Sequence, residues 1–149
     1  MHFISMENFK LKWRWTDSEY CLLSESELSN IYPLDVNSAS EAWDKSLAFI
    51  EKGSEFSPNL ILFDSIEFVD IKAPIDFKAW LKNNMSSESI IISWQPDTAV
   101  KTKTELFIKY WDEFYYSSSD DVSIWPESKT WVIHISHKEQ ACFGKAKNV

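Results

Sequence analysis

Glycine is nearly missing from this chain, with only Gly53 and Gly144 among 149 residues. A dinucleotide fingerprint, a P-loop and a nucleophile elbow each need glycines at fixed spacing, because the backbone must approach a phosphate or turn sharply. Those enzyme classes are therefore excluded. Cysteine is as scarce: Cys21 and Cys142 lie far apart and read as two reduced thiols of a cytoplasmic protein. With no Cys/His cluster of zinc-site spacing and no EF-hand loop, no metal and no cofactor is expected. No apolar run approaches the roughly 18–20 residues that cross a bilayer, so no membrane partner is expected. The opening Met-His-Phe-Ile-Ser-Met-Glu lacks the basic and apolar regions of a signal peptide. Residues 1–5 read as an upstream extension before Met6, and 145–149 as a frayed tail.

Basic residues are missing from one long stretch. Between residues 16 and 71 there are twelve acids and two bases, Lys45 and Lys52, a net of −10 within an overall −8. Such charge keeps a surface solvated, and it also attracts and steers a basic partner. It opposes nucleic-acid binding, which needs a basic stripe to displace counterions.

What is present is a soluble composition, 44% hydrophobic and 26% charged, with eight tryptophans. Phe9, Leu11, Trp13 and Trp15 alternate with Lys10, Lys12 and Arg14, which predicts a half-buried strand. Ser24 with Glu27 forms a capping-box pattern for a short helix through Leu28 and Ile31, ended before Pro33. Ser38 with Glu41 forms a second, opening a helix over 38–52 with Trp43, Leu47 and Ile50 as its apolar face and Gly53 as terminator. A buried strand is expected over 60–63, continuing or pairing through Ile66 and Phe68 after a bend at Asp64 and Ser65. Pro74 starts a helix with Phe77, Trp80 and Leu81 inward. Ile90 to Trp94 is a β-branched central strand stopped by Gln95, Pro96 and Asp97.

Residues 98–104 read as a polar, basic link, with Thr102 and Glu105 as a third capping box. Leu106, Phe107, Tyr110, Trp111 and Phe114 then form one helical stripe. After a Ser-Ser-Ser-Asp-Asp turn, 122–125 and 130–136 form a hairpin about Pro126 to Lys129, and 141–143 adds a last strand. The expected fold is a single α+β domain: a mainly antiparallel sheet of five or six strands packed with three or four helices.

Candidate chemistry is thin. His134 and His137 stand three apart on a strand, so they point to opposite faces and cannot chelate one ion. With Trp131, Ile133 and Ile135 inward, His134 is expected to face solvent. Asp120 and Asp121 could act as acid and base, but aspartates after serines are ordinary turn chemistry. Cys142 with His137 lacks any visible oxyanion donor. Tyr115, Tyr116 and Trp125 flank the Ser-Asp turn, where exposed aromatics beside carboxylates would make a protein-binding patch.

The run Tyr110 to Val122, with Trp131 to His134, resembles the closing part of small bacterial single-domain proteins. In size, acidity and want of a catalytic motif the chain is similar to immunity proteins of bacterial toxin systems. That resemblance implies a cytoplasmic, non-enzymatic protein, monomer or homodimer, that blocks a basic toxin-like protein by surface complementarity. The residues expected to carry it are Glu41, Asp44, Glu51, Asp64 and Glu67, with Trp125, Tyr115 and Tyr116 as aromatic anchors. The alternative is a small hydrolase or ligand-binding enzyme using Asp120, Asp121, His134 and His137.

Overall fold

The computed structural model describes residues 1–147. Its centre is one seven-stranded antiparallel sheet: β1 (Ile31–Pro33), β2 (Phe63–Asp70), β3 (Ser89–Gln95), β4 (Thr98–Lys103), β5 (Val122–Trp125), β6 (Trp131–Ser136) and β7 (Gln140–Ala146). The strands lie in the order β1-β4-β3-β5-β6-β7-β2. Six α-helices accompany them: α1 (Trp13–Thr16), α2 (Glu25–Leu28), α3 (Val36–Phe49), α4 (Pro74–Asn84), α5 (Thr104–Lys109) and α6 (Trp111–Phe114). The class is α+β, with more strands and more helices than the sequence suggests.

Both faces of the sheet are covered. One face carries Ile90, Ile92, Ile124, Ile133 and Ile135, packed with Trp15, Phe77, Leu81, Phe107 and Phe114 from the helices. Each fully buried isoleucine there contributes about 1.5–3 kcal/mol of apolar transfer. The other face carries Ile91, Ala99, Trp125 and Val132, covered by Ala39, Ala42 and Phe49 of α3. Because β5 and β6 are buried at every position, hydrophobic alternation does not mark an outer face on them.

Several helix starts follow their local chemistry. Ser24 and Glu27 form the full capping box of α2, though the helix stops at Leu28 and Ile31 enters β1 instead. Pro74 occupies the first turn of α4, where its missing amide costs nothing. α3 is capped by Asp35, whose carboxylate accepts the Ser38 amide at 2.8 Å, so Ser38 lies inside the helix rather than at its cap. The buried face is Ala39, Ala42, Ser46 and Phe49, set by packing on the sheet, and it leaves Leu47 exposed and Trp43 half-buried. The helix ends before Gly53, which takes φ +85° in the following loop.

Four further expectations fail. Residues 9–15 form a turn and then α1, not a strand; Arg14 and Trp15 are both buried, which strict alternation forbids. Leu60, Ile61 and Leu62 form an exposed turn, and only Phe63 enters the core. The polar link after Asp97 is strand β4, with Thr98 and Thr102 fully buried, and α5 begins after Lys103 without a side-chain cap. The aromatic stripe 106–114 is broken at Tyr110 (φ −121°, ψ 30°) into α5 and α6.

Described residues near both termini are engaged. His2 O accepts the Asp35 amide at 2.9 Å, His2 N donates to Ser38 Oγ at 2.8 Å, and Phe3 bridges Leu34. Residues 2–4 thus overlie the outer edge of β1 rather than trailing from it. Lys145 and Ala146, expected in a frayed tail, pair with β2 and β6; residues 148–149 of that tail lie outside the described residues.

Candidate functional site

Asp120 is not free to act as a base. Its carboxylate is 8% exposed and accepts two bonds from the Arg14 guanidinium, at 2.6 and 3.1 Å. It also accepts the Tyr116 amide at 2.9 Å and the Ser119 hydroxyl at 3.0 Å. Arg14 lies over the rings of Tyr116 (4.4 Å) and Trp13 (5.3 Å), so the ion pair is roofed by aromatics. This bidentate pair joins α1 to the Ser-Asp turn and accounts for the burial of an arginine that sequence pattern alone assigns to solvent.

Asp121 points the other way. Its Oδ1 accepts both the backbone amide of His137 and lies 2.8 Å from His137 Nδ1, on an exposed rim. His134, expected to face solvent, is 2% exposed beneath the α3 side of the sheet. Its Nδ1 lies 2.8 Å from Ser123 Oγ, while Nε2 has no partner. Burial pushes its pKa down to about 3, so the ring is neutral. Of the four residues of the hydrolase reading, only Asp121 and His137 are brought together.

His134 belongs to a cross-strand row. Ser93, Ser123, His134 and Cys142 stand opposite one another in β3, β5, β6 and β7. Cys142 thus faces His134 rather than forming a dyad with His137. Its thiol donates to Phe56 O at 3.1 Å, and burial holds its pKa up at about 12, so it is not a nucleophile in waiting. Among the described residues no three His, Cys, Asp or Glu side chains converge as a metal site.

Two of the three proposed aromatic anchors are core residues, a correction to their expected exposure. Trp125 is 2% exposed and stacks edge-on against Phe49, with centroids 5.4 Å apart. Tyr115 is buried, with its hydroxyl donating to Ser136 O at 2.5 Å and its pKa raised by burial to about 12. Tyr116 is half-buried; its hydroxyl donates to Glu113 at 2.9 Å, and desolvation first, then that carboxylate, raises its pKa. It borders an open cleft of about 380 Å³ with Trp111, Asp112, Lys72 and Glu139. The cleft holds charges of both signs and no convergent catalytic set.

The acidic residues are more informative. Glu41, Asp44, Asp64 and Glu67 are exposed and Glu51 is half-buried, and among the described residues none of the five is in an ion pair. They form two groups rather than one face. Glu41 and Asp44 lie on α3, which packs over β3 and β4. Asp64 and Glu67 lie on β2, four strand spacings from β3, or about 19 Å. Glu51 belongs to the loop between them, its carboxylate accepting the Leu60 amide at 2.7 Å.

Strand β2 was not singled out by sequence reasoning as the edge of the sheet. It pairs only with β7, and its other side is open. A register shift between Asp64 and Glu67, with Ser65 at φ 49°, bends it at the Asp64–Ser65 position that the sequence marks. Glu67 accepts the Trp80 indole N–H at 2.5 Å on the α4 side, while Phe68, 57% exposed, meets Phe56 edge-on at 6.2 Å on the other. Beside the strand's start, Leu60, Ile61 and Leu62 expose their side chains, Ile61 to 80%. Exposed apolar side chains and carboxylates outside ion pairs thus both lie along β2 and the turn before it. No known protein family, no curated protein and no solved structure matches this chain.

Proposed function

We propose that this is a non-enzymatic binding protein of the immunity or inhibitor type, whose partner is a basic, toxin-like protein. The observation that carries the reading is a set of exposed carboxylates outside ion pairs, Asp64 and Glu67 on β2, the strand that also exposes Phe68 and follows the uncovered Leu60, Ile61 and Leu62, with Glu41 and Asp44 as a separate group on α3. Unneutralised acids steer a basic partner to the surface, and the exposed apolar side chains at β2 supply the desolvated contact that slows its departure. Blocking then needs no chemistry from this chain, only occlusion of the partner's own site. The engagement of Asp120 with Arg14 and the burial of His134 support the same reading.

The test uses the product of the adjacent reading frame, purified with its activity intact. The expected result is a stable complex that suppresses that activity, with an association rate that falls steeply with salt. Paired reversals, Glu41→Lys with Asp44→Lys and Asp64→Lys with Glu67→Lys, separate the two acidic groups; at least one pair is expected to slow association about tenfold or more. Absence of a complex at low salt, or an association rate indifferent to salt and to both reversals, refutes the reading.

A further inference from the structure

The two edges of the sheet differ. β1 is three residues long, ends in Pro33 and is overlain by residues 2–4, with the Ile4 amide donating to Pro33 O at 2.9 Å and Phe3 bridging Leu34. β2 is eight residues long and has no strand beyond it. The ladder fixes which of its amides are unused. Ile71 N–H donates to Glu139 O at 3.1 Å, and the pairs Asp70↔Gln140, Val69↔Ala141, Phe68↔Cys142 and Glu67↔Phe143 follow in register. In an antiparallel ladder hydrogen-bonded and non-hydrogen-bonded pairs alternate. Val69 and Glu67 therefore turn their amides to β7, and Phe68 and Asp70 turn theirs outward. A depression of about 290 Å³ lined by Phe68, Val69, Asp70 and Gln140 lies along this edge.

We propose that the free edge of β2 takes an extended basic segment of the partner as an added strand. The inference rests on the binding reading above and gives it a mode. Main-chain bonds to Phe68 and Asp70 supply the ladder, and side chains supply the choice of sequence. A residue set against Glu67 or Asp64, on the α4 side, meets a carboxylate and favours lysine or arginine. A residue set against Phe68, on the α3 side, meets an exposed ring and favours an aliphatic or aromatic side chain. Basic and apolar residues in alternation match Glu67 and Phe68, neighbours on opposite faces, at once.

A second copy of this chain is the poorer occupant. β2 holds three acids, Asp64, Glu67 and Asp70, and no base, and an antiparallel pairing of two β2 strands about Glu67 sets that carboxylate against itself. Like charges are then gathered across the seam, which disfavours the pair. The acids guard the edge against self-association while leaving it open to a cationic strand.

The experiment uses the whole chain and an end-capped peptide of alternating lysine and valine as probe, at low salt. Hydrogen exchange of the Phe68 and Asp70 amides is followed by NMR. Both are expected to exchange freely in the protein alone and to slow about tenfold or more with saturating peptide. A peptide of the same composition, N-methylated at alternate residues, is expected to leave them unchanged. The Phe68→Pro variant removes an amide that β7 does not use, and it is expected to keep the fold and lose the peptide. Should that variant unfold, the N-methylated peptide carries the same comparison on the native chain. Peptide binding with no slowing at Phe68 and Asp70, or no binding at all, overturns strand addition. The two readings fail separately: an adjacent-gene partner held equally well by Phe68→Pro refutes strand addition and leaves the binding reading intact, whereas protection by the peptide without any partner complex does the reverse.

Discussion

Replacing Asp120 by alanine tests how the first residues are held to the rest of the molecule. Arg14 is 4% exposed, and its guanidinium makes two bonds to Asp120 and one longer contact, 3.4 Å, to Phe114 O; its Nε has no partner. Without Asp120 the cation stays buried with one weak acceptor, and the Tyr116 amide loses its partner as well. Stranding one member of a buried pair costs about 3–5 kcal/mol. For a chain of this size that corresponds to a fall of about 6–20 °C in Tm, measured by circular dichroism or calorimetry. Arg14→Met with Asp120→Leu removes both charges together and is expected to recover most of the loss, since well-packed apolar replacements of a buried pair are often neutral. Urea unfolding of wild type, both single variants and the double then gives the coupling directly. If Asp120→Ala costs under about 1 kcal/mol, or the double variant loses the sum of the two singles, the pair is not what fixes α1 to the Ser-Asp turn.

The neutral imidazole of His134 makes stability depend on pH in a definite direction. Its pKa falls from an unfolded value near 6.5 to about 3, so the unfolded chain binds this proton first, and stability drops by ~1.4 kcal/mol per unit as pH falls between those values. Above about pH 6.5 the group contributes no slope; His134→Leu should flatten the acid limb of urea-unfolding stability, and an unchanged limb would contradict the burial argument. Gly144 tests packing instead of conformation: a Cβ there would lie 2.8 Å from Pro58 Cβ and 3.1 Å from Phe63 Cβ. Gly144→Ala is therefore expected to cost about 1–3 kcal/mol by overpacking the loop against the sheet, and a neutral result would show that the loop yields freely.

Much of the fold was legible where local chemistry decides it. Pro74, the Ser24–Glu27 box, the β-branched run Ile90–Ile92 and the hairpin about Pro126 each act through neighbours in sequence. The misreadings share a non-local cause. Lys10, Lys12 and Arg14 look alike as text, but Arg14 is drawn inward by an aspartate 106 positions away, and the strand pattern dissolves. Thr98 and Thr102 read as a polar link because nothing in the sequence says their strand is covered on both sides. The apolar run Leu60–Leu62 reads as core for the converse reason. At the candidate site, the excess of carboxylates was visible in the composition. That β2 lies at the rim of the sheet was not, because strand order depends on which of seven strands pair.

The unequal treatment of the two rims also bears on stoichiometry. A sheet with two accessible rims can add copies of itself head to tail, and such contacts need not close. Here the segment from His2 to Ile4 lies against Pro33, Leu34 and Asp35, so β1 is a less open edge than β2 for a second copy. A strand added to β2, as proposed above, would therefore meet no equally bare edge on the far side of the sheet from which to extend it.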